Sequence, residues 1–175
     1  NLLKECPAND FDRIRNQART LWNNELKKIE AECLTPEDRQ TFYTALYHCF
    51  ISPVIFTDSD GSYRGLDQNI HQADGFTNYS IFSLWDTYRA LHPLFTLIQP
   101  ARNTDMIRSM MAHQNQSVHK MLPIWSHYAR ENWCMTGYHA VSVLADAAAK
   151  NIPGFDVREA LADGLQTAGT DYFDG

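Results

Sequence analysis

From Phe11 the apolar positions fall at Phe11, Ile14, Ala18, Leu21, Trp22, Leu26 and Ile29, with Arg, Lys, Glu and Asn between them. Steps of three and four draw one face of an amphipathic helix. Asp10 stands where a side-chain oxygen caps the first turn. Leu34-Thr35-Pro36-Glu37-Asp38 then restarts the pattern, with Thr35 as N-cap, Pro36 as first helical residue and Asp38 as a shortened capping-box acid. This second helix turns Phe42, Ala45, Leu46, Cys49 and Phe50 inward. It stops near Ser52-Pro53, because proline disfavours helical backbone in the residue before it.

Residues 53–79 break the period and are rich in Asp and Gly. Asp60-Gly61, flanked by Ile55-Phe56 and Tyr63, predicts a short hairpin followed by irregular loop. Loops beyond about 12–15 residues are uncommon in compact domains and often carry function. Helical spacing resumes near Ser80 with Ile81, Leu84, Trp85, Tyr88, Leu91, Phe95 and Ile98, and ends before Pro100. Further helices are expected from about Thr104 through Met111, from near Cys134 through Ala148, and over about Val157–Ala168. No fixed-length repeat is present. The expected fold is all-α, stacked helix pairs with one short inserted β-hairpin.

Composition narrows the function classes. The 175 residues suffice for one domain, and 44% hydrophobic with 21% charged residues is ordinary globular usage. A net charge of −6 without a Lys/Arg cluster argues against nucleic acid as a partner. No apolar stretch approaches the roughly 18 residues of a membrane span. The start, NLLKECPAND, has neither an initiator Met nor the layout of a signal peptide, and is expected to be cut from a longer protein. Cys6, Cys33, Cys49 and Cys134 form no C-x-x-C pair, so a zinc ribbon has no support and disulfides stay open. Cys49 and Cys134 lie in apolar helical patterns and read as buried thiols.

Three stretches carry candidate chemistry. In Trp85-Asp86-Thr87-Tyr88-Arg89, Asp86 and Arg89 share a helix face and form either a surface ion pair or a polar grip beside a Trp85 platform for a sugar ring. Asp58-Ser59-Asp60-Gly61 lacks the alternating ligands and twelfth-position Glu of a calcium loop and reads as a turn, although Asp58, Asp60, Arg64 and Asp67 could line a polar site. In MLPIWSHYARENWCMTGYHA (121–140), Glu131 sits among Trp125, Tyr128, Trp133 and Tyr138. Apolar surroundings keep a carboxyl protonated, as a general acid requires, whereas Arg130 would act the other way if the side chains met. Read alone, Glu131 is a helix-start acid. His127 and His139 lack the spacing of a helical metal site.

Four segments together go further. FYTALYHCFISP (42–53), FTDSDGSYRGLD (56–67), FSLWDTYRALHPL (82–94) and ENWCMTGYHAVSVLADA (131–147) resemble, in order, signature segments of glycoside hydrolase family 92, calcium-dependent exo-α-mannosidases. The resemblance runs from about Phe11 to about Asp156. It implies that residues 1–175, with no internal boundary, are part of an (α/α)6-barrel catalytic domain, a helix-pair segment of it. It also implies inverting removal of terminal α-linked mannose, of the α-1,2 type, from glycans. Glu131 matches the family's acid, while its neighbours Arg130 and Asn132 depart from the family's Asn-Glu-Thr. Trp85, Asp86 and Arg89 match the family pattern and are expected to bind substrate. The base, an acidic Gly-Asn-Asp-type segment, has no counterpart in residues 140–175, so a partner carboxylate is expected outside this chain. Calcium is implied, its ligands unknown, as is a secreted or periplasmic setting. The isolated chain is expected to be inactive, its partners being a mannose-containing glycan and the remaining domains of its parent. The alternatives are a non-catalytic helical module binding glycan or protein, and an (α/α)6 glycosidase of another sugar preference.

Overall fold

The computed structural model describes residues 10–171, so Cys6 lies outside the described residues. The chain divides into two compact units between Ile51 and Ser52.

The first unit is a helix pair. Helix α1 spans Phe11–Leu26, with Asp10 Oδ1 accepting from the Arg13 N–H at 3.1 Å. Helix α2 spans Pro36–Cys49 and starts as expected: Thr35 Oγ1 accepts from the Asp38 N–H at 3.1 Å, with Pro36 in the first turn. No residue of α1 is fully buried. The helices meet through rings instead, Trp22 lying 4.6 Å from Tyr47 and 6.3 Å from Phe50. The Tyr43 hydroxyl donates to Ile29 O and accepts from the Ala31 N–H, which fastens the connecting segment to α2.

The second unit begins with four short strands: β1 (Val54–Ile55), β2 (Ser62–Arg64), β3 (Ile70–Gln72) and β4 (Tyr79–Ser80). A turn does form at Asp58–Gly61, where the Gly61 N–H donates to Asp58 O and Gly61 takes φ +86°. Yet β1 pairs with β4, and the hairpin closes between β2 and β3. The acids of this loop mostly serve its turns. Asp60 accepts from the Ser62 N–H, and Asp67 from Asn69 and the His71 ring.

Five helices follow: α3 (Leu84–Thr87), α4 (Leu91–Ile98), α5 (Pro100–Gln116), α6 (His139–Ala149) and α7 (Val157–Ala168). The stripe expected to run unbroken from Ser80 to Ile98 is two helices. Within one continuous helix Pro93 would lack its hydrogen bond to residue 89 and crowd that carbonyl, so the chain turns and restarts with Pro93 in a first turn. Helix α5 begins four residues earlier than expected, with Pro100 at its first position. It is the axis of the unit, burying the apolar Met106, Ile107, Met110 and Met111 together with the polar Asn103, Ser109, His113 and Gln114. Phe82, Leu84, Phe95, Leu122, Ala140, Val143 and Ala147 complete the core.

The helix expected from Cys134 starts at His139. Cys134 is exposed in the preceding loop rather than buried, and Cys49 is half-buried at the end of α2. Among the described residues Cys33, Cys49 and Cys134 are free thiols. No helix among them is long and apolar enough to cross a membrane.

Candidate active site

Residues 117–138 connect α5 to α6 without a helix or a named strand. Tyr128, Ala129, Trp133 and Met135 all have positive φ, between 46° and 68°, a left-handed conformation that non-glycine residues adopt at a cost of order 1 kcal/mol or more each. Such a segment persists only where its surroundings determine it. Here Gln68 Nε2 donates to Ala129 O, the Tyr128 N–H donates to Ser80 Oγ, and the Phe82 N–H donates to Ser126 O. Ser126 and Glu131 face one another in an antiparallel bridge, across a tight turn in which His127 and Arg130 exchange backbone hydrogen bonds.

Glu131 closes this loop from within. Its Oε1 accepts three backbone N–H groups, from Trp125 (2.8 Å), Asn132 (3.0 Å) and Trp133 (3.1 Å), and its Oε2 accepts one, from Ile124 (3.1 Å). No helix starts at residue 131, because Trp133 (φ 54°) and Met135 (φ 68°) take left-handed backbone that a right-handed helix does not admit. Burial pushes the Glu131 carboxyl above its ordinary value, and the four N–H donors offset only part of that rise. Arg130 is exposed and is not among the groups that shift it.

The second cluster lies on α3 and the turn after it. The Arg89 guanidinium sits over the Trp85 ring at 4.8 Å and the Tyr88 ring at 5.2 Å. Tyr88 in turn stacks on His139 at 4.3 Å with 8° between the planes. Gly137 (φ +87°) makes that stack possible, since a Cβ there would lie 2.8 Å from His139 Nε2. The ion pair considered for Asp86 and Arg89 is not made; Asp86 accepts from Ser83 Oγ.

Trp85, Arg89, Tyr88 and His139 are thus brought together, while Glu131 makes none of its hydrogen bonds to Trp85, Asp86 or Arg89. The two regions are joined by backbone, through the Phe82–Ser126 bond. Sequence reasoning missed Tyr88 and Ser126, and left His139 unassigned. Tyr88 and His139 lie inside the quoted segments, but only the fold stacks them. Among the described residues no three His, Cys, Asp or Glu side chains come together as a metal-binding group.

The family model described as the glycosyl hydrolase family 92 catalytic domain matches residues 1–174. A family GH92 α-mannosidase of Bacteroides thetaiotaomicron is 50% identical and superposes with a TM-score of 0.94, over 98% of this chain and 23% of its own. The same enzyme with mannoimidazole bound gives a TM-score of 0.92 at 50% identity, over 98% of this chain and 22% of its own. A family GH92 inverting mannosidase from Bacteroides thetaiotaomicron VPI-5482 is 35% identical, with a TM-score of 0.83 over 93% of this chain and 22% of its own. This chain therefore spans less than a quarter of the length of these relatives. Comparison with curated proteins returned no match.

Proposed function

Because the chain belongs to glycosyl hydrolase family 92, whose relatives here are (α/α)6-barrel proteins, we propose that it is part of the catalytic domain of an inverting exo-α-mannosidase and that Glu131 is the general acid. The observation that carries this reading is the carboxyl itself, inside the loop and raised by burial. Oε1 is saturated by three N–H donors, whereas Oε2 accepts one and keeps a lone pair for a proton. Oε2 is therefore the atom that delivers the proton to the departing glycosidic oxygen.

Inversion needs a second carboxylate, about 6.5–9.5 Å away, to deprotonate the attacking water. The downstream part of the parent supplies that base. Trp85, with Arg89 on one face of its indole, offers the other face to a sugar ring, and Asp86 accepts from its hydroxyls. The described residues bring no three acidic or imidazole side chains together for calcium, so no step is assigned to the ion through them. The substrate class is a mannose-containing glycan, of the α-1,2 type, met in a secreted or periplasmic setting.

The test is the Glu131→Gln variant of the full-length parent. Hydrolysis of mannobiose falls by about 10²–10⁴-fold, and hydrolysis of a dinitrophenyl mannoside, whose leaving group needs no proton, falls far less. Undiminished mannobiose turnover sinks the assignment. If the parent binds mannobiose by calorimetry yet never cleaves it, the non-catalytic glycan-binding module is the correct reading.

A further inference from the structure

We infer that His113 of α5 is a positioning residue for Glu131, acting through Ser126; the inference rests on the acid role proposed for Glu131. His113 is buried, at 4% exposure, and both ring nitrogens are engaged: Nδ1 lies 3.0 Å from Ser126 Oγ and Nε2 lies 3.2 Å from Asn78 Oδ1. Asn78 is held in turn. Its Nδ2 donates to Phe56 O, its backbone N–H donates to Thr57 Oγ1 at 2.7 Å, and its carbonyl accepts the Phe56 N–H.

These neighbours set the tautomer. The Asn78 amide presents Oδ1, an acceptor, so Nε2 carries the ring proton and Nδ1 is the acceptor. The Ser126 hydroxyl donates to it. Burial favours the neutral imidazole, which then donates on the Asn78 side and accepts on the Ser126 side.

Ser126 is wholly buried and sits beside the amides of Ile124 and Trp125, which hold Oε2 and Oε1 of Glu131. Its backbone also bridges to Glu131 and accepts the Phe82 N–H. Fixing Ser126 therefore fixes two of the four donors around the acid. The left-handed residues Tyr128 and Ala129 leave the loop strained and in need of such an anchor. His113 touches neither the carboxylate nor the substrate platform; its effect is on where Oε2 points.

The experiment compares His113→Phe, Ser126→Ala and Glu131→Gln in the full-length parent, each on mannobiose and on dinitrophenyl mannoside. His113→Phe and Ser126→Ala each lower kcat on mannobiose at least about tenfold, a fraction of what a well-placed acid contributes, with KM unchanged and dinitrophenyl mannoside affected no more than about threefold. Equal losses on both substrates indicate general damage and overturn the inference, as does no loss in Ser126→Ala. If His113→Phe does not give a cooperative melt, Ser126→Ala decides alone. Selective loss in Glu131→Gln without selectivity in the other two overturns the His113 role alone. Loss of selectivity in Glu131→Gln overturns the acid assignment beneath it.

Discussion

Burial acts on the titratable side chains of this chain with opposite signs for imidazoles and carboxyls. It pushes His92 and His113 down to about 4. His92 stacks on Phe82, and the Asn103 amide faces it without hydrogen-bond geometry, so both ring nitrogens lack a partner. Between about 4 and 6.5 the unfolded chain binds more protons than the folded one at these sites, so stability is lost as pH falls through that window. Asp163 runs the other way. Burial first, and Glu159 second, push it up to about 6, so its contribution is lost as pH rises toward that value. The raised acids Asp163 and Glu131 oppose the two imidazoles, whose own contribution to the melting temperature of the parent falls between about pH 7 and about pH 5. His92→Leu, which removes unpaired buried nitrogens at similar volume, flattens that fall and leaves neutral-pH stability nearly unchanged. A fall as steep in His92→Leu as in the natural protein contradicts the assignment. At this scale the sequence singled out an acid and showed little about how it is held. Glu131 could be singled out by its aromatic neighbours, but its cage is made of backbone N–H groups that nearly every residue carries.

Among the elements, starts were more legible than connections. Asp10 and Thr35 cap as the sequence suggests, because a cap needs only an oxygen and an amide two or three residues on. Thr35→Ala removes the bond to the Asp38 amide and costs about 1 kcal/mol. Amide exchange in the first turn of α2 quickens by about fivefold as a result, and unchanged exchange there refutes the cap's contribution. The α3–α4 break was also readable, since Pro93 stands in the sequence, but the apolar stripe runs through it without a gap. Strand pairing was not readable. The partner of β1 is β4, some twenty residues beyond the Asp60-Gly61 turn, and local turn chemistry says nothing about such a choice. The late start of α6 was hidden likewise: Trp133, Met135 and Gly137 take left-handed backbone, which helical periodicity does not register.

For the molecule as a whole, the helical class was evident in the pattern of apolar residues, and the family in four quoted segments. The proposed catalytic pair was not, since the resemblance offers a counterpart for only one of its carboxylates in these residues. The relatives extend over four times this length. Large apolar side chains stand exposed, among them Leu34, Phe11, Leu21, Leu97 and Leu165. Surfaces of this kind are covered in a complete domain or seek cover by association. The isolated chain is therefore expected to show a mass above its 20.1 kDa by light scattering and no hydrolysis of mannobiose. A monodisperse, active monomer would contradict both expectations.

The carboxylate cage has a consequence for descent with modification. Its four donors are peptide groups, so substitutions at Ile124, Trp125, Asn132 and Trp133 leave those hydrogen bonds available, while the burial that raises the carboxyl still depends on the side chains around it. Arg130 and Asn132, which depart from the family pattern, fall in this tolerant stretch. Proline alone is barred from the four donor positions, because it has no N–H to give. The hydrogen bonds around Glu131 are thus inherited through the path of the backbone, and lineages can diverge in the letters around it while keeping the same donors on its two oxygens.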